Sequence, residues 1–100
     1  MRKHLFLTGM MGSGKSTLGR LLAKEMGVRF VDLDELIVAR EGMSIPEIFA
    51  ARGEAGFRTC ESQALRAICE QEPCVVATGG GAILKDENVS LMRAAGIVVG

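Results

Sequence analysis

The chain has 100 residues, 48% of them apolar, and its 12 basic residues are balanced by 12 acidic ones. That is the length of one small domain, near the lower limit for burying a good core. Zero formal net charge argues against a nucleic-acid-binding field or an acidic tail. No apolar run approaches the roughly 20 residues that a membrane helix needs, so neither nucleic acid nor membrane is expected as a partner.

The opening Met1-Arg2-Lys3-His4 is basic but runs straight into a strand-like segment, about His4–Thr8, and a glycine loop. Reading it as a signal peptide would discard that loop, so it is not read as one. His4 is expected at the surface and receives no role. The loop Gly9-Met10-Met11-Gly12-Ser13-Gly14-Lys15-Ser16 fits the pattern G-x-x-x-x-G-K-[ST] at every required position. Glycines let backbone N–H groups approach a polyphosphate closely. Lys15 has the reach for the β- and γ-phosphates, and Ser16 offers a hydroxyl to Mg²⁺. The helix beginning here turns its positive end to the anion. That helix, about Lys15–Met26, places Leu18, Leu21, Leu22 and Met26 on one stripe, with Gly27 at its C-cap.

A second strand, about Arg29–Asp32, leads into Asp32-Leu33-Asp34. On extended backbone both carboxylates would face one cleft, one near Mg²⁺ through water and one at a substrate hydroxyl. The plainer alternative makes Asp34 the N-cap of a helix over about Glu35–Arg40, which Gly42 ends. Ser44-Ile45-Pro46-Glu47 reads as a capping box. The third helix it opens buries Ile45, Ile48 and Phe49 and breaks at Arg52-Gly53. A fourth helix, about Glu54–Gln71, carries Phe57, Cys60, Ala64 and Ile68 at core spacing, and Glu72-Pro73 stops it. Arg58 and Glu61 share a face on it, so Glu61 can direct the guanidinium, which forms a bidentate fork for a carboxylate. In isolation such a pair is an ordinary solvated one.

A third strand, about Cys74–Thr78, is followed by Gly79-Gly80-Gly81. Three consecutive glycines are entropically costly to order, which makes sense where a ligand meets backbone; the alternative is a flexible connection. A last helix, about Asp86–Ala95, stops at Gly96, and a fourth strand covers about Ile97–Gly100. The four strands alternating with helices predict an α/β fold, a parallel sheet with helices on its faces. Ligands of such sheets gather beyond the carboxyl ends of the strands. A strand of Ile-Val-Val expects a covering helix after it. The expectation is therefore one domain, residues 1–100, incomplete at the C-terminus. Cys60, Cys69 and Cys74 are odd in number and lack metal-ligand spacing, so free thiols in a reducing cytoplasm are expected, with Cys60 and Cys74 in the core.

Together, Gly9–Thr17, Asp32-Leu33-Asp34, Phe57-Arg58 with Glu61, and Gly79-Gly80-Gly81 resemble the shikimate kinase family in order and spacing, over essentially the whole chain. The resemblance implies a P-loop NTPase fold of the nucleoside-monophosphate-kinase kind. It also implies ATP:shikimate 3-phosphotransferase activity, on the route to chorismate and aromatic amino acids. By position, Gly12, Ser13, Gly14, Lys15, Ser16 and Thr17 would bind ATP. Ser16 would ligate Mg²⁺, and Asp32 would contact it through water. Asp34 would hold the shikimate hydroxyls and serve as general base. Arg58, supported by Glu61, would clamp the carboxylate, and Gly79, Gly80 and Gly81 would line the substrate site. Lys15 and Asp34 are the catalytic candidates, and a monomer is expected. The family continues with a lid arginine, a further substrate arginine, a fifth strand and an adenine loop. None lies in these residues, so little or no turnover is expected of them alone. The alternatives are an inactive P-loop nucleotide-binding module and another small-molecule P-loop kinase of gluconate kinase type.

Overall fold

The computed structural model describes residues 3–8, 13–78, 82 and 85–99, giving residues 13–16 as backbone only. In chain order the elements are β1 (His4–Leu7), α1 (Ser13–Met26), β2 (Arg29–Asp32), α2 (Leu33–Glu41), α3 (Ile45–Cys69), β3 (Cys74–Ala77), α4 (Asp86–Ala95) and β4 (Gly96–Val99). The strands form one sheet in the order β2-β3-β1-β4, and every pairing is parallel. All carboxyl ends therefore emerge at one edge. The chain moves from β1 to one side and from β3 to the other, so these two adjacent strands flank the switch point where ligands of such sheets bind.

Strand alternation sorts the core into two layers. Phe6, Val76, Val31 and Val98 point to one face, against Leu33, Ile37, Ile48, Phe57, Leu65 and Met92 from α2, α3 and α4. Leu7 and Val75 point to the other, where they meet Ala23, Leu22 and Met26 of α1. β3 is buried along its whole length, as expected of a central parallel strand covered on both faces.

Three expectations need correction. The α1 stripe is displaced: Leu21 is 59% exposed and Leu18 37%, while Ala23 is buried. Small residues face the sheet because the approach is close; a Cβ on Gly19 would stand 2.2 Å from the Phe30 ring. His4 is buried rather than superficial, stacked on Phe6, and its Nε2 donates to the Ile68 carbonyl at 2.9 Å. The C-terminal turn of α3 thereby gains a side-chain donor, which helix carbonyls at that end need. Third, Phe49 is 38% exposed, covering Phe57 by ring stacking instead of entering the core.

The expected break at Arg52-Gly53 is present as a kink within α3, with Gly53 at φ 70°, ψ −176°. The expected capping box is also present: Ser44 Oγ accepts from the Glu47 amide and Glu47 Oε1 accepts from the Ser44 amide. The contact with Ser44 holds the Glu47 carboxyl below its ordinary value. Gly96 both ends α4 and begins β4, one residue before the expected strand start.

Candidate active site

Thr8, Asp32 and Thr78 follow or end β1, β2 and β3 at the same sheet edge. Gly9 and Gly12 of the phosphate loop and Gly79, Gly80 and Gly81 lie outside the described residues. So do the side chains of Ser13, Lys15 and Ser16, although their backbone forms the first turn of α1, with Thr17 exposed in the next. A helix N-terminus thus opens at the strand ends directly after the phosphate-loop sequence, the arrangement that favours a bound anion.

Asp32 and Asp34 do not project as alternate residues of one extended segment. Asp32 ends β2 and Asp34 falls in the first turn of α2. The cap is Asp32, whose Oδ1 accepts from the Glu35 amide at 3.2 Å. Capping engages that one oxygen. A carboxylate has further acceptor sites, so Asp32 can cap α2 and still approach a cation. Among the described residues no group of three His, Cys, Asp or Glu side chains could hold a metal. The Asp32 carboxylate is a hard oxygen donor, of the kind that Mg²⁺ accepts while keeping much of its water.

The best-defined part of the site lies on α3. Arg58 Nη1 donates to Glu61 Oε1 at 3.2 Å and stands 3.5 Å from Oε2. The Glu61 side chain is only 2% exposed, whereas Arg58 is 24% exposed. The carboxylate is thus inside and the guanidinium reaches outward. Glu54 lies 3.9 Å from Arg58 Nε, and the guanidinium carbon rests 5.4 Å above the Phe57 ring. Arg58 is held from both sides by acids and from below by an aromatic face.

Burial pushes the Glu61 carboxyl above its ordinary value; Arg58 opposes this, Asp34 adds to it, and Lys85 opposes it. These influences bring four charged residues from three parts of the chain into one neighbourhood. Lys85 was not indicated by the sequence reading. Neither were Ser62 and Asn88, which are buried beside it and joined by a 2.9 Å hydrogen bond. One signal was available: Asn88 precedes Met92 by one helical turn, so a buried α4 face had to include an amide needing a partner.

A parallel sheet whose phosphate-loop sequence leads into α1 at the switch point defines a P-loop NTPase fold of the nucleoside-monophosphate-kinase kind. The shikimate kinase family model matches residues 11–99. Shikimate kinase of Geobacter metallireducens is 55% identical over 97 residues, which cover 97% of this chain and 54% of that protein. The enzyme of Nitrosomonas europaea is 53% identical over 96% of this chain and 46% of its own length. Among solved structures, shikimate kinase from Acinetobacter baumannii in complex with shikimate superposes with a TM-score of 0.91 at 42% identity, covering 98% of this chain and 55% of that one. The Aquifex aeolicus enzyme gives 0.88 at 43% identity, covering 98% and 57%. The chain belongs to the shikimate kinase family. It spans about half the length of the curated relatives it matches.

Proposed function

We propose that the protein transfers the γ-phosphoryl group of ATP to the 3-hydroxyl of shikimate. The observation that carries this reading is the Arg58–Glu61 pair with Asp34, which follows the carboxyl end of β2, in its field. A directed guanidinium suits a ligand carboxylate, and a nearby carboxylate suits hydroxyls; a small carboxylated polyol offers both. Family membership and the shikimate complex of the A. baumannii relative support the same substrate.

In this mechanism the amides of Gly12, Ser13 and Gly14, with Lys15 and Thr17, hold the ATP phosphates at the positive end of α1. Ser16 and, through water, Asp32 would hold Mg²⁺, which when bound would neutralise charge on the phosphates. Arg58 fixes the substrate carboxylate, and Glu61 fixes Arg58. Gly79, Gly80 and Gly81 present backbone to the sugar-like ring. The hydroxyl oxygen forms its bond to the γ-phosphorus as the bond to ADP breaks, and Asp34 accepts the hydroxyl proton. The same reading takes the enzyme to be a cytoplasmic monomer, in keeping with its free cysteines.

The test uses the intact gene product, its mass determined first, with ATP and Mg²⁺. ADP release that depends on shikimate supports the reading, and release indifferent to shikimate overturns it. In the same assay, Arg58→Ala is expected to raise the KM for shikimate at least about tenfold, as loss of a charge-assisted pair does. Asp34→Asn is expected to lower kcat by about a hundredfold. If that variant keeps its turnover and only binds shikimate weakly, Asp34 is not the base.

A further inference from the structure

Beneath the Arg58–Glu61 pair runs a polar chain to which the phosphate and substrate contacts assign no task. Asn88, fully buried in the first turn of α4, accepts through Oδ1 from the Ser62 hydroxyl at 2.9 Å. With its one proton directed at Asn88, the Ser62 oxygen is left as an acceptor. Lys85 Nζ stands 3.5 Å from that oxygen, and an ammonium can only donate. Ser62 is the neighbour of Glu61 on α3, so Lys85, held at Ser62, stands within electrostatic reach of the Glu61 carboxylate. Among the described residues, the charged groups that act on Glu61 are Arg58 from its own helix, Asp34 from α2 and Lys85 from the residue before α4.

We infer that Lys85 is a positioning residue for the Arg58–Glu61 pair: tethered through Ser62 to Asn88, it supplies a positive charge besides that of Arg58 and so favours the Glu61 carboxylate, the form in which Glu61 holds Arg58. Its consequence for the substrate rests on the function proposed above; its effect on Glu61 does not. A protonated Glu61 accepts a weaker hydrogen bond from Arg58, so loss of Lys85 loosens the clamp first at acid pH.

The experiment titrates the Glu61 side-chain carboxyl by carbon NMR, without ligand, in the intact protein and in Lys85→Met, Lys85→Arg and Ser62→Ala. Lys85→Met keeps the length of the side chain and removes the charge. The Glu61 midpoint is expected to rise in Lys85→Met, to rise less in Ser62→Ala, and to return toward the parent value in Lys85→Arg. An unchanged midpoint in Lys85→Met overturns the inference, and failure of Lys85→Arg to restore it does the same. The second readout is KM for shikimate from about pH 5 to about pH 8, a range in which carboxylates raised by burial titrate. In Lys85→Met it is expected to rise roughly threefold at the acid end, the size a partly exposed charge pair commands. The difference closes toward the alkaline end, and kcat changes less than KM. If the midpoint moves and the parent protein uses shikimate, but KM stays put at every pH, the positioning role falls. If the midpoint moves as expected and the parent protein ignores shikimate, the charge relation stands and the substrate reading falls.

Discussion

Glu61 illustrates how one residue is useful to a site at a cost to the fold. Its side chain is 2% exposed, and burial, the largest influence on it, holds its carboxyl above the ordinary value of 4.5 despite Arg58. The protonated form therefore fits the folded state better than the charged one. The stability this contributes is complete below 4.5 and is lost as pH rises through the raised value. Glu61→Gln has no such proton to lose. Its melting temperature relative to the parent protein is therefore expected to climb as pH rises above 4.5 through the raised value and then level off. Melting curves at several pH values check this, and a flat difference would refute the dominance of burial. The spacing of Arg58 and Glu61 was legible because helical geometry is local. Lys85 was not, because its contact with Ser62 depends on how α4 lies against α3. His4 was misread for the same reason: only the packed structure brings the Ile68 carbonyl to its ring.

At the scale of elements, punctuation residues were the most readable part of the chain. Ser44 and Glu47 cap α3 reciprocally, and Gly42 closes α2. Gly53 divides α3 into an arm, Ile45–Arg52, and a longer segment that carries Arg58 and Glu61. Its φ of 70° with ψ of −176° belongs to a region that side chains other than hydrogen rarely enter, while a Cβ there would meet nothing within 4 Å. Gly53→Ala thus isolates backbone strain from crowding. It is expected to cost about 1–3 kcal/mol, measured by denaturant unfolding. A change within about 0.5 kcal/mol would mean that the kink relaxes without loss. The apolar stripe of α1 was less readable. Periodicity finds the leucines but does not say that Gly19 and Ala23 set the closest approach, leaving Leu21 outside.

For the molecule as a whole, alternating strands and helices were enough to foresee a parallel sheet, and four motifs were enough to foresee the family. The strand order was not foreseen, because nothing local encodes which strands become neighbours. Among the described strands that order leaves β4 outermost, beside β1. The order also governs how the chain reaches its structure. Leu5 pairs with Val75 and Ile97, so the strand feeding the phosphate loop has no neighbour until distant segments arrive. Among the described strands no hairpin offers a local nucleus, and long loops must close before these ladder bonds form. On a ribosome, β1 emerges long before β3 and waits. Pairing of β1 is consequently a late event, on the timescale of milliseconds or longer typical of distant pairings.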